Sequence, residues 1–336
     1  MSNISKVINS KYFSQENIDE ALKNTIVPFL DKHIEYGYIN GQNNEKIYYE
    51  KYKINNPKAY IVISHGFTES LEKYHELIYY FSQERYCVYG IEHRGHGRSG
   101  SLANLDKVDK TQVNIDSFDY YIEDLKTLID DVILPDSENS KLLLYAHSMG
   151  GGIGSLFLER YPKYFDAALL NAPMMEIDTG KVPSFLAKII ANTAKALGKG
   201  DKYVVGYGSF KKEANINASA TSCESRYMNY HRFLLDNEMY QRGDASYNWL
   251  VNAFNATKEI VNNAHKVEIP VMLCQAGKDT YVKPNGQNKF SQKAKKCRLK
   301  IYKESKHEIY CEQDYIMKPY LDDVFEFYNE NVNIDN

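Results

Sequence analysis

A serine among small residues is the side chain in this sequence best suited to chemistry. Ser148 lies in the segment AHSMG (146–150), which follows the apolar run 142–146 and precedes a helix-like stretch at 153–161. A strand that turns sharply into a helix lifts one side chain clear of the sheet, and small neighbours are needed because the turn is crowded. The pattern predicts a nucleophile elbow of the G-x-S-x-G type, with Ala146 in place of the first glycine.

A nucleophilic serine needs a base and an acid, and the late part of the chain offers both. Asp279 follows the strand-like run 271–275, and His307 follows the strand-like run 299–302. Loops at the carboxyl ends of parallel strands meet at one edge of a sheet, so both side chains are expected near Ser148. His307 would take the serine proton, while Asp279 would orient the imidazole. Considered singly, Asp279 could be a loop-capping carboxylate and His307 a surface residue.

The oxyanion formed when a serine attacks an ester needs two backbone donors. The N–H of Met149, at the start of the helix after the nucleophile, is one candidate. The N–H of Phe67, which follows a strand-like run and Gly66, is the other, although this glycine could simply make a turn. His65 and His147 would flank the site. We consider His65 as a substrate-binding candidate, with a structural or orienting role as the alternative for both histidines.

Two histidines and a glutamate occur close together in the segment EHRGHGRS (92–99). Such residues could suggest a metal site, but the glycines indicate a tight loop and no distal Cys/His set completes a zinc pattern. The sequence therefore predicts no metal and no cofactor. Arg94, within this segment, is expected to join loops through hydrogen bonds.

Length and composition narrow the class of protein. The chain has 336 residues, 43% of them hydrophobic, and a net charge of −3, which suits one large domain and gives no reason to expect nucleic-acid binding. The chain has five cysteines, which is an odd number, and no C-x-x-C pair, so we expect reduced thiols in a cytoplasmic protein. No signal peptide or membrane-spanning stretch is expected, although one edge could contact a membrane surface.

Strand-like and helix-like segments alternate from residue 59 onwards. This alternation predicts an α/β fold with a mostly parallel central sheet and helices on both faces. The alternation stops at 175–267, which predicts an inserted helical cap on a core formed by 1–174 and 268–336. The predicted elements also include a hairpin formed by 33–39 and 46–52, a helix at 15–22 that ends before Pro28, and a long amphipathic helix at 117–133.

Five short motifs together resemble those of the α/β-hydrolase superfamily, in its bacterial lysophospholipase and monoacylglycerol lipase branch. The resemblance runs from about residue 35 to 330, and its motifs are HGF at 65–67, EHRGHGRS at 92–99, AHSMGG at 146–151, GKD at 277–279 and KHE at 306–308. It implies the α/β-hydrolase fold, a triad of Ser148, Asp279 and His307, and oxyanion donors at Phe67 and Met149. The pair Phe67-Thr68 departs from the monoacylglycerol lipase pattern, where a small residue followed by glycine is usual.

The resulting expectation is a serine ester hydrolase that cleaves a monoacyl lipid ester through an acyl-enzyme intermediate. The cap would supply an apolar acyl tunnel, with Met174, Met175, Phe185 and Ile189 as candidates, or these side chains would form ordinary cap core. The apolar stretch 183–197 could also dock on a membrane. The alternatives are a small-molecule esterase or thioesterase, a peptidase with the same triad, and a non-catalytic binding protein on a hydrolase scaffold.

Overall fold

One eight-stranded sheet crosses the protein. The computed structural model describes residues 11–99, 109–138 and 140–332. The strands lie in the order β1-β2-β4-β3-β5-β6-β7-β8. Their bounds are β1 Ile34–Asn40, β2 Lys46–Tyr52, β3 Ala59–Ser64, β4 Tyr86–Ile91, β5 Leu142–His147, β6 Ala167–Asn171, β7 Val271–Ala276 and β8 Cys297–Tyr302.

Strands β3 to β8 are parallel, while β1 and β2 form the predicted antiparallel hairpin at one edge, with Ile34 opposite Tyr52. Every residue of β4, β5, β6 and β7 is buried, as expected for parallel strands covered on both faces. The predicted parallel sheet is therefore confirmed.

Nine helical segments flank the sheet in the described ranges, and two of them contain a π turn. They are α1 (Ile18–Ala21, π turn Leu22–Ile26, Val27–Leu30), α2 His75–Gln83, α3 (Asp119–Leu128, π turn Ile129–Ile133, Leu134–Ser137), α4 Met149–Arg160, α5 Ser184–Ala196, α6 Glu224–Asp236, α7 Tyr247–Asn263, α8 Pro284–Lys293 and α9 Asp314–Val332. Short 3-10 turns connect several of them.

The sheet separates two hydrophobic cores, and alternate residues of each central strand point to different ones. Leu142 and Leu144 of β5 pack with α3, α4, α7 and α8, whereas Leu143 and Tyr145 pack with α1, α2 and α9. This period-two alternation of buried residues places helices on both faces, as the sequence predicts.

The segment between β6 and β7 is helical and irregular, and it contains α5, α6 and α7. Helix α7 packs against α4, and its Trp249 and Ile260 belong to the same core as the sheet. Helix α5 instead packs on α7 through Ala191 and leaves one apolar face exposed. Within the described ranges, no helix is both long enough and apolar enough to cross a bilayer.

A buried carboxyl group in α4 makes stability depend on pH. Glu159 is 6% exposed, and neither of its carboxyl oxygens has a hydrogen-bond partner in the described part of the chain. Burial, with the nearby Glu259 carboxylate, raises the pKa of Glu159 from 4.5 to about 9. The folded protein thus holds this proton more tightly than the unfolded chain. The associated stability is complete below about pH 4.5 and is lost as the pH rises towards 9.

The variant Glu159→Gln should therefore remove part of the pH dependence, because the amide resembles the protonated acid but cannot ionise. Its free energy of unfolding relative to wild type should increase by about 2 kcal/mol between pH 6 and pH 8. Urea titrations at several pH values measure this difference. Glu330→Gln, at an exposed ion pair with Arg298, is the matched control and should leave the slope unchanged. Equal slopes in Glu159→Gln and wild type would contradict the assignment.

Candidate active site

Ser148 has a strained backbone between β5 and α4. Its φ of 53° and ψ of −117° place it in a region that L-residues avoid, at a cost of about 1–3 kcal/mol. Three hydrogen bonds hold this conformation. The N–H of Ser148 donates to Asn171 O (3.1 Å), and its carbonyl accepts from the N–H groups of Gly152 (3.0 Å) and Met174 (2.8 Å). The local geometry is that of a nucleophile elbow.

The glycines after Ser148 are needed because α4 approaches the sheet very closely. A Cβ added to Gly150 would overlap the carbonyl oxygens of Ser64 and His65, at the end of β3. A Cβ on Gly154 would lie 2.8 Å from Leu144 Cδ2 and 3.2 Å from Ala146 Cβ. The missing side chain at Gly154 thus leaves the space in which Ala146 fits at the first position of the elbow.

The structure brings Ser148, His307 and Asp279 into one hydrogen-bonded chain. The imidazole Nδ1–H of His307 donates to Asp279 Oδ2 (2.6 Å), so the Nε2 atom accepts from the Ser148 hydroxyl (2.7 Å). Asp279 Oδ1 accepts from the N–H groups of Tyr281 (2.8 Å) and Val282 (3.1 Å). Burial alone would raise the pKa of Asp279, but His307 and these donors lower it below its usual value. The carboxylate is therefore ionised and can stabilise an imidazolium.

The two backbone N–H groups predicted as oxyanion donors belong to the loop after β3 and to the first residue of α4. Those of Phe67 and Met149 have no acceptor within the described part of the protein. Close packing of Gly150 against the end of β3 brings the two loops together. The Phe67 loop is itself held by Gly66, whose N–H donates to Glu69 Oε2 (2.6 Å). Free donors on adjoining loops are what an oxyanion requires.

A largely buried charge cluster joins the Phe67 loop to Glu308, the residue after His307, and the sequence does not reveal it. The Lys73 ammonium donates to Glu69 Oε1 (2.9 Å) and to Glu308 Oε1 (2.5 Å), and the Tyr74 and Tyr310 hydroxyls also donate to Glu69. Burial would raise the pKa of Glu69, but Lys73 lowers it well below the usual range. The sequence feature that could have indicated this cluster is the i,i+4 spacing of Glu69 and Lys73, but such pairs are common on exposed helices.

A cavity of about 440 Å³ has Ser148 and His307 in its wall. One side is formed by Phe67, Thr68 and the charge cluster, and the other mainly by the segment between β6 and β7. Apart from Tyr281 and Cys311, the following side chains of the wall belong to that segment, and they are a mixture of aromatic, apolar, polar and charged groups: Phe210, Lys211, Glu213, Asn215, Ala218, Ser219, Ala220, Arg226, Tyr227, Tyr230, His231, Leu234, Arg242, Tyr281 and Cys311. The volume is in the range of small-molecule sites.

Comparison with known proteins places this chain in a family. The family model Hydrolase_4 (serine aminopeptidase, S33) matches residues 55–314, which include all three residues of the hydrogen-bonded chain. The chain belongs to the Hydrolase_4 family. Among curated relatives, a probable lysophospholipase L2 of Haemophilus influenzae is 27% identical, with 96% of this chain and 99% of that protein aligned. Lysophospholipase L2 of Escherichia coli K12 is 29% identical, with 87% of this chain and 86% of that protein aligned.

Solved structures agree on the fold. A soluble variant of monoglyceride lipase from Saccharomyces cerevisiae superposes with a TM-score of 0.71 at 17% identity, over 89% of this chain and 96% of that one. A carboxyl esterase from Bacillus coagulans has the same TM-score and identity, over 89% of this chain and 99% of the esterase. The sheet of this Hydrolase_4 member is thus the α/β-hydrolase sheet, as the sequence motifs imply.

His65 and His147 are buried neutral side chains in this Hydrolase_4 protein. His65 Nδ1–H donates to Gly66 O (2.7 Å), and its Nε2 accepts from His93 N–H (2.9 Å). Burial lowers the pKa of His65. Because this histidine does not line the cavity, the structure gives it a loop-holding position instead of the expected contact with substrate. His147 does line the cavity, and burial lowers its pKa to about 3.

The four side chains expected to form an acyl tunnel lie elsewhere. Met174 and Met175 are buried in the core that α4 shares with the sheet. Phe185 and Ile189 are 63% and 57% exposed on the outer face of α5. None of the four lines the cavity beside Ser148, so this expectation needs correction. The helical periodicity of α5 predicts an apolar face but not its direction, and in the structure that face points to solvent.

The segment 92–99 connects neighbouring parts of the chain through hydrogen bonds. Arg94 donates from Nε and Nη2 to both carboxylate oxygens of Asp124 (2.6 and 2.7 Å) and from Nη2 to Gln42 O (3.1 Å), as predicted for a loop-joining residue. In the ranges that the structure describes, no group of three His, Cys, Asp or Glu side chains is arranged to hold a metal ion.

Replacing the nucleophile or the base should abolish turnover, because proton transfer along the chain needs all three groups. Ser148→Ala should not be labelled by a fluorophosphonate probe, and His307→Ala should lose about a thousandfold in kcat or more. Labelling and hydrolysis of p-nitrophenyl butyrate measure these effects. Ser155→Ala, at a buried serine of α4 bonded to Gly151 O, is the matched control and should label like wild type. Undiminished labelling of Ser148→Ala would place the nucleophile elsewhere.

Proposed function

We propose that this Hydrolase_4 member is a serine ester hydrolase that cleaves monoacyl lipid esters. The observation that carries the proposal is the hydrogen-bonded chain from Ser148 through His307 to Asp279, with the serine in the wall of a cavity. The names of its full-length relatives, lysophospholipase L2, support the lipid substrate class. A monoacyl lipid has one acyl chain to bury and one ester to cleave, which suits a cavity of this size.

The geometry defines the order of the chemical steps. Ser148 Oγ attacks the ester carbonyl as its proton passes to His307 Nε2, and Asp279 stabilises the resulting imidazolium. We propose that the N–H groups of Phe67 and Met149 bind the oxyanion. His307 gives the serine proton to the ester oxygen that leaves, so that the C–O bond breaks, the alcohol departs and an acyl-enzyme remains. Water then gives a proton to the same imidazole and attacks the acyl carbonyl, and His307 returns the proton to Ser148 Oγ as the fatty acid is released.

We further propose that residues 175–267 act as the substrate-binding cap. Cap side chains with large apolar surfaces, among them Phe210, Tyr227 and Leu234, lie in the cavity wall opposite the serine. An acyl chain against these side chains would be removed from water, which contributes about 0.8 kcal/mol per buried methylene group. This surface takes the role that the sequence assigned to Met174, Met175, Phe185 and Ile189.

A substrate panel tests the proposed function. The purified protein should hydrolyse lysophospholipid and monoacylglycerol with kcat/KM at least about tenfold above that for p-nitrophenyl acetate, because acyl burial stabilises the bound long-chain ester. An aminoacyl p-nitroanilide tests the peptidase alternative and should be turned over far more slowly. Ser148→Ala is the blank for every substrate. Preferred cleavage of the anilide or of the acetate ester would overturn the monoacyl lipid assignment.

We also propose that α5 docks on a lipid surface. Its outer face exposes large apolar side chains, and exposed lysines surround it, which suits an anionic bilayer. The apolar members are Phe185, Leu186, Ile189, Ile190 and Leu197, and the lysines are Lys181, Lys188, Lys195 and Lys199. Since the same segment carries the cavity wall, docking there would bring lipid close to the active site.

Polar substitutions on this face should weaken membrane binding. The double variant Phe185→Ser/Ile189→Ser should bind phosphatidylglycerol vesicles at least about tenfold more weakly in sedimentation assays, because two apolar side chains no longer insert. Its turnover of p-nitrophenyl butyrate should stay within about twofold of wild type. Tyr36→Ser/Ile301→Ser, at exposed apolar residues of the sheet edges, is the matched control. Equal binding by both double variants would contradict docking through α5.

A further inference from the structure

Arg242 presents a fixed guanidinium group in the wall of the active-site cavity. Its Nε–H donates to Gly95 O (2.5 Å), one Nη1–H donates to Gln241 O (2.7 Å), and one Nη2–H donates to Gly97 O (3.4 Å). A guanidinium has five N–H groups, so one remains on each terminal nitrogen. The side chain is only partly exposed. Three backbone carbonyls therefore hold the group in place, and two of its N–H groups have no acceptor in the described ranges.

This arginine has no acidic partner in the described ranges, a property that it shares there only with the exposed Arg85. Arg226, in the same cavity wall, pairs with Glu76 and Asp314. The exposed Arg85 donates to a backbone carbonyl. Ion pairs with carboxylates are formed by the other described arginines: Arg94, Arg98, Arg160, Arg232 and Arg298.

The nearby Glu92 does not neutralise Arg242. Both oxygens of the Glu92 carboxylate bind the Arg98 guanidinium (2.6 and 3.2 Å). Burial lowers the pKa of Arg242, although the fields of Glu92 and Tyr230 oppose that effect. A partly desolvated guanidinium group that forms no direct ion pair would be stabilised further by an anion bound in the cavity.

Most charged side chains of the cavity wall form ion pairs. Lys73 is bonded to Glu69 and Glu308, and Arg226 is paired with Glu76 and Asp314, which do not line the cavity. Three charged side chains of the wall have no ion pair in the described ranges: Arg242, which is partly buried, and Lys211 and Glu213, which are exposed. Water screens the two exposed charges more strongly than the partly buried guanidinium.

We propose that Arg242 binds the phosphate of a lysophospholipid head group while the acyl ester lies at Ser148. This inference rests on the proposed function and selects phosphate-bearing monoacyl lipids over neutral monoacylglycerol. Two N–H groups on the terminal nitrogens match two phosphate oxygens, a geometry that arginine provides and lysine does not. Lys211, which is exposed to solvent, adds long-range electrostatic attraction for the phosphate group.

Two lipids with the same acyl chain test the assignment. Decanoyl lysophosphatidylethanolamine and monodecanoylglycerol differ in the head group and can be assayed below their micellar concentrations. Arg242→Gln should lower kcat/KM for the lysophospholipid by about tenfold to a hundredfold, mainly through KM, and should change that for the monoacylglycerol by less than about threefold. Arg232→Gln, at an exposed arginine of α6 outside the cavity, is the matched control and should behave like wild type.

A second measurement does not depend on the folding of Arg242→Gln. Glycerophosphoethanolamine should competitively inhibit monodecanoylglycerol hydrolysis by wild type, and Arg242→Lys, which keeps the charge but loses the fork, should be inhibited several-fold less. Inorganic phosphate at the same concentration shows whether the phosphate alone suffices, and inhibition by either compound supports the site.

The outcomes separate the two proposals. Equal losses of Arg242→Gln on both lipids, or no inhibition of wild type by either phosphate compound, would overturn the role of Arg242 and leave the lipase assignment intact. If wild type is labelled at Ser148 and cleaves p-nitrophenyl butyrate but neither lipid, the proposed function itself fails, and the head-group inference fails with it.

Discussion

The close packing of α4 on the sheet is the constraint on which the active site depends. Ser148 can hold its unfavourable φ only because its own N–H and C=O are bonded to β6 and to the next turn of chain. Gly150 allows the end of β3 to touch the helix start, and this contact places the two free N–H groups on adjoining loops. A larger residue at Gly150 would thus push the start of α4 away from β3 and separate the N–H groups of Phe67 and Met149.

Much of this site could be predicted because each triad member follows a strand. Short apolar runs identify parallel strands, and parallel strands end at one edge, so Ser148, Asp279 and His307 converge without any knowledge of side-chain contacts. Lys73 and Arg242 could not be found this way. Their importance depends on burial and on which partners lie nearby, and neither quantity is visible in local spacing.

The ends of two helices and the direction of the apolar face of α5 also cannot be predicted from local spacing. Helices α1 and α3 continue past Pro28 and Pro135, since the carbonyl four residues before each proline lies in a π turn, where the wider winding tolerates the missing N–H. Periodicity also identified an apolar face on α5 but not its direction. Ala191, on the opposite face, packs on α7, and so Phe185 is turned towards solvent.

The Lys73 ammonium, on a side chain that is 11% exposed, has a mechanical consequence. Through Glu69 it is connected to the loop that carries Phe67, and through Glu308 to the loop that carries His307. These loops follow β3 and β8, which are far apart in the sheet. A single cation therefore joins the two loops, so that the position of the His307 imidazole and the position of the Phe67 N–H cannot change independently.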